Sequence, residues 1–133
     1  MKKLFIAILL LAGTANATSM ARYERWTCSF PAKNSAGIGV NVNIVTDVLT
    51  SNVANVTLYA VCTMCRIEPI TFTAVRTAVV GIAGTELFFN NSQTKFEVNV
   101  HASQFNKQTR VSPAILTRAN QQSQNGNCTL SLR

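Results

Sequence analysis

The feature that most constrains the fold of this chain is a two-residue rhythm that recurs in short blocks. Ile38, Val40, Val42 and Ile44 alternate with Gly39, Asn41 and Asn43. Trp26, Cys28 and Phe30 alternate with Thr27 and Ser29, and Phe96, Val98 and Val100 alternate with Glu97 and Asn99. Val56, Leu58, Ala60 and Cys62 alternate with Thr57, Tyr59 and Val61. Successive side chains of a strand point to opposite faces, so each block describes a strand with one apolar face. Shorter runs at Ile70, Phe72 and Ala74, at 87–89, and at Cys128, Leu130 and Leu132 bring the number to seven. From Thr18 onward, 13 Val, 6 Ile and 14 Thr make 33 of 116 residues β-branched, and such stiff side chains suit a pleated surface.

The separators carry turn chemistry. Asn34-Ser35-Ala36-Gly37, Thr50-Ser51-Asn52, Asn90-Asn91-Ser92 and Asn125-Gly126-Asn127 supply residues that accept positive φ or cap a turn with their own side chains. Ser112-Pro113 offers an N-cap followed by proline at a first helical position, which predicts one short helix near 113–119. The stretch 74–85 mixes Ala, Val, Gly and Ile without a clear face and fits either a buried strand or a glycine-broken turn. The expected fold is all-β: an antiparallel sandwich or small barrel of about seven strands, with at most that one helix.

The first 17 residues, MKKLFIAILLLAGTANA, stand apart from this pattern. Lys2 and Lys3 precede an apolar run from Leu4 to Ala12, and Ala15-Asn16-Ala17 is a small-residue cleavage site. Such a run is too short to span about 30 Å of hydrocarbon, so it reads as a bacterial export signal cleaved after Ala17. Residue 14, after Leu11-Ala12-Gly13, is Thr and not Cys, which leaves no thiol to acylate. The expectation is a single domain, 18–133, in the periplasm or outside the cell, without a transmembrane or lipid anchor and monomeric.

Export sets the redox context for Cys28, Cys62, Cys65 and Cys128, an even number in an oxidising compartment. Four cysteines allow three connectivities, and spacing does not choose among them. Their placement in the first and last strands leans towards Cys28–Cys128, with Cys62–Cys65 as the second bridge. In a regular strand, residues three apart face opposite ways, so that second bridge requires a turn at Thr63-Met64. Cys62-Thr63-Met64-Cys65 also has thiol-oxidoreductase spacing. That chemistry needs a helix N-terminus to make the thiolate, and here strand-like residues precede it and Pro69 follows. A four-thiol zinc site has the right ligands but only one close pair, and export favours oxidation.

Catalytic constellations are sparse. His101 is the one histidine, no G-x-S-x-G turn is present, and Glu24, Asp47, Glu68, Glu86 and Glu97 are scattered singly. Charge is more informative. The formal +7 becomes +5 without Lys2 and Lys3, and Lys107, Arg110, Arg118 and Arg133 follow the last acid, Glu97. Phe105, Lys107, Arg110 and Arg118 are therefore the candidate contact residues for a protein or an anionic envelope polymer. Nucleic acid fits less well, because the aromatics do not interleave with the cations. The resulting expectation is a non-enzymatic binding module without metal or cofactor. The alternatives are a thiol–disulfide protein using Cys62 and Cys65, or a subunit that exchanges strands.

Overall fold

The computed structural model describes residues 23–32, 38–47, 52–61 and 68–132. They form one closed antiparallel barrel of eight strands in sequence order. The strands are β1 (Tyr23–Phe30), β2 (Gly39–Asp47), β3 (Val53–Val61), β4 (Ile70–Gly81), β5 (Gly84–Asn91), β6 (Phe96–Val100), β7 (Val111–Thr117) and β8 (Gln124–Leu132). Each strand pairs with the next, and β8 returns to β1 to close the ring.

The alternation read from the sequence becomes an inside and an outside. Trp26, Cys28 and Phe30 of β1, Val40, Val42 and Ile44 of β2, and Phe96, Val98 and Val100 of β6 are all buried. Ala54, Val56, Leu87, Phe89, Ala114, Leu116 and Cys128 join them in one core. An eight-stranded barrel is just wide enough for its own side chains to fill it, and here Phe30, Phe89 and Phe96 occupy the lumen. Polar residues such as Thr27, Ser29, Asn41, Asn55, Thr71 and Thr73 line the outside of β1 to β4. That distribution is the reverse of a membrane-spanning barrel, whose lipid-facing side is the apolar one. No helix among the described residues is long and apolar enough to cross a membrane.

The seam between β1 and β8 carries a covalent staple. Cys28 stands directly opposite Cys128 in the register, and the two form a disulfide across 100 residues of sequence. This bridge agrees with the pairing favoured from the strand positions. Cys62 and Cys65, like the segment 1–17, lie outside the described residues.

Two stretches depart from the sequence reading. The predicted helix near 113–119 is instead strand β7, in which Ser112, Ala114 and Leu116 point inward. Pro113 is tolerated because the ladder with β6 ends at Val100–Ala114, beyond which the Pro113 carbonyl still accepts the His101 N–H. Residues 74–85 resolve as strand, turn and strand: β4 runs to Gly81, Ile82 and Ala83 turn, and β5 starts at Gly84. The hairpin signal at Asn90-Asn91 holds. The Asn91 Oδ1 accepts the N–H groups of Gln93 and Thr94 at 3.0 and 3.1 Å, and Lys95 completes the turn at φ 59°.

One polar cluster faces into the barrel near the end where β1 begins. The Glu24 carboxylate accepts the Trp26 indole N–H at 3.0 Å and two N–H groups of the Arg76 guanidinium at 3.0 Å each. Glu24 and Arg76 are largely shielded, with side chains 12 and 22% exposed, so the pair is not a solvent-screened surface bridge. Removing one partner strands the other charge. Glu24→Gln is expected to lower unfolding free energy by about 1.5–3 kcal/mol in urea titration, the range for hydrogen bonds to charged groups. A loss under 0.5 kcal/mol would show that the cluster adds nothing to stability.

Candidate functional site

The barrel has two ends, and the strand directions decide what each carries. One end gathers the starts of β1, β3, β5 and β7 and the exits of β2, β4, β6 and β8. Here β4 and β5 outrun the barrel. The pairing of β4 with β3 stops at Val53–Val75, yet β4 and β5 remain paired to Gly81–Gly84. On the other edge β5 stays paired with β6 to Leu87–Val100, opposite Ala78, so the two-stranded arm runs about 10 Å past the last shared rung, at about 3.3 Å per residue. Its apolar side chains face water: Val79 is 48%, Val80 79% and Ile82 fully exposed.

The segment 101–110 crosses the same end. A 3-10 turn, Ala102–Gln104, packs against the β5 side of the arm as far as its outermost rung. Gly84 sits there at φ 119°, and a Cβ would lie 2.4 Å from that of Ser103, so only glycine permits the approach. Phe105 then turns inward and meets Trp26 edge to face, with ring centroids 6.3 Å apart. Asn106 stops the chain from straying. Its Oδ1 accepts the N–H groups of Gln108 and Thr109 at 2.9 and 3.0 Å. Arg110, at φ 62°, donates its backbone N–H to the Asn106 carbonyl, accepts the Leu130 N–H on its own carbonyl and donates its Nε–H to the Leu130 carbonyl at 3.0 Å. Lys107 and Arg110 are thus held on an ordered, exposed loop.

The four predicted contact residues are not one surface. Lys107 and Arg110 share the arm end. Phe105 is spent on Trp26 and plugs the barrel, because an aromatic in this loop finds an apolar partner closer than any ligand. Arg118 follows β7 and so emerges at the opposite end, roughly 20 Å or more away at about 3.3 Å per residue. There its guanidinium donates to the Gln124 Oε1 at 2.7 Å, and burial lowers its pKa. Gln124 in turn donates to the carbonyls of Phe30, Pro31 and Ile38 at 3.3–3.5 Å. Arg118 therefore belongs to a polar plug that ties β8 to the β1–β2 connection.

The one histidine has a partner the sequence did not foretell. His101 Nδ1 lies 2.8 and 3.0 Å from the two Glu86 oxygens, across β5 and the exit of β6. A carboxylate that orients an imidazole is half of a nucleophilic triad, and the other half is a hydroxyl or thiol on the far ring nitrogen. Among the described residues no hydroxyl or thiol hydrogen-bonds to His101, and Glu86 instead ties the 101–110 loop to the arm. No group of metal-binding side chains assembles among the described residues. The arm itself was missed by sequence reasoning, although its signal was present: nine residues, 77–85, with three large apolar side chains, Val79, Val80 and Ile82, and no charge.

Comparison of the chain with protein-family models, with curated proteins and with solved structures finds no match.

Proposed function

We propose that the protein is an exported, non-enzymatic binding module that works in the bacterial periplasm or outside the cell. Its working end is the one that carries the β4–β5 arm and the 101–110 loop, and its partner is a protein or an anionic envelope component. The observation that supports this reading most is the juxtaposition at one end of a rigid barrel. Lys107 and Arg110 sit on a loop pinned by Asn106, Phe105 and Leu130, beside an arm whose Val79, Val80 and Ile82 side chains stay exposed. A disulfide-closed, side-chain-filled barrel is a stiff platform for such a surface, and binding residues concentrate on loops held by rigid scaffolds.

Arg118 takes no part in this contact. Lys107→Gln/Arg110→Gln is expected to weaken sedimentation of the protein with isolated bacterial envelopes at least fivefold at low salt and to flatten the salt dependence. Arg118→Gln should leave that binding unchanged. Equal binding by the double variant and the parent would overturn the reading.

A further inference from the structure

The arm asks what covers it. Exposed apolar side chains on a two-stranded projection are a liability unless a partner uses them, because a neutral, proline-free β segment invites pairing with other chains. Val79, Val80 and Ile82 are outside the barrel core, so nothing in the fold requires them to be apolar.

We propose that the β4–β5 arm is a shallow membrane anchor, which seats Val80 and Ile82 at the headgroup–acyl boundary of an anionic phospholipid bilayer while Lys107 and Arg110 meet the lipid phosphates. The proposal rests on the reading of the arm end as the working end and names its partner.

Charge complementarity selects the lipid. Of the acids at this end, Glu24 and Glu86 are engaged by Arg76 and His101, and Asp47 at the exit of β2 is not free either. Lys107 and Arg110 have no acidic partner among the described residues and remain available to phosphate. The arm from Thr77 to Thr85 contains no charge to desolvate. Its reach of about 10 Å beyond Ala78 matches the roughly 5–10 Å to which interfacial apolar groups enter a bilayer. Depth is limited from the other side: β4 has no described partner on its outer edge beyond Arg76, and open backbone edges do not enter the hydrocarbon. A tip at the boundary, with its edge in the hydrated headgroups, satisfies both conditions.

A second copy of the chain fits less well. Stable protein interfaces engage about 20–30 residues on each side, whereas the arm offers nine.

Vesicles of phosphatidylglycerol and phosphatidylethanolamine, compared with phosphatidylcholine vesicles, provide the test with the purified protein. Binding is expected to be at least tenfold tighter to the anionic vesicles. Val80→Ser/Ile82→Ser should lose tenfold or more while circular dichroism and thermal midpoint stay those of the parent, since both side chains lie off the core. Ile82→Trp should show a blue-shifted emission on the anionic vesicles only. Undiminished vesicle binding by the serine variant overturns the anchor and assigns binding to charge alone. Salt-dependent binding to envelopes with no binding to vesicles also overturns it, leaving the broader reading intact. A concentration-dependent dimer abolished by the serine variant, without vesicle binding, overturns it in favour of self-association.

Discussion

Replacing Cys28 and Cys128 together by alanine is expected to cost the protein about 2–5 kcal/mol of stability, a large part of what a domain this size has. The two half-cystines are opposite one another on β1 and β8, and these strands meet only because the chain has gone once around the barrel. Every other pairing joins neighbours in sequence and closes a short loop. The β1–β8 seam closes a loop of 100 residues, for which the chain-entropy model assigns about 4.7 kcal/mol to the cross-link. Both side chains are also at most 1% exposed, so truncation to alanine removes packing as well as the bond. Urea unfolding of the double variant measures the loss without disturbing Cys62 and Cys65, as a reductant would. Native-state hydrogen exchange should accelerate most in β1 and β8, the strands whose pairing is no longer covalently enforced. A loss below 1 kcal/mol would mean that the seam is held by its hydrogen bonds and core alone.

The same seam explains why the sequence could not separate sandwich from barrel. The alternation at Ile38–Ile44 or Phe96–Val100 states which side chains are buried, and it reads identically for two packed sheets and for one sheet closed on itself. Closure lies in the pairing of the first strand with the last, and its only local trace was the placement of Cys28 and Cys128. The missed strand has a different cause. The inward positions of β7 are Ser112, Ala114 and Leu116, two of them small, so no apolar stripe marks it. These positions are small because the lumen is crowded: Ala114 pairs with Gly126, beside which the ring of Phe30 lies. A pattern that looks like weak helix is the complement of an aromatic contributed from the other end of the chain. The site failed similarly. Phe105, Lys107, Arg110 and Arg118 are close in sequence, but β7 runs the length of the barrel between Arg110 and Arg118. Within 74–85, Ala74 is the last residue with a buried face; beyond Arg76 the strand leaves the barrel and periodicity no longer reports burial.

Gly126 should be the least replaceable residue of the last strand. It occupies an inward position between Gln124 and Cys128, where a side chain would enter the lumen. A Cβ built there lies 2.0 Å from the Ser29 carbonyl oxygen and 2.7 Å from Cδ1 of Phe30. The first contact is with backbone, which cannot rotate away, and the backbone in question is β1 at the closing seam. Relief requires β8 to withdraw from β1, and the Cys28–Cys128 bridge two residues along resists it. Retreat of Phe30 is no easier, because that ring is fully buried in the core. Overpacking a filled core costs about 1–3 kcal/mol where side chains can adjust. With a backbone carbonyl in the way, Gly126→Ala is expected to lie at or above the top of that range, and Gly126→Val should prevent the barrel from closing. Gly126→Ala/Phe30→Leu tests the cause, since the smaller side chain removes the clash with the ring but leaves the clash with Ser29. Denaturant unfolding should therefore show the double variant recovering only part of the stability lost by Gly126→Ala, after allowance for Phe30→Leu alone. Full recovery would place the whole effect in the ring, and a Gly126→Ala variant as stable as the parent would show that β1 and β8 have room to move apart at the seam.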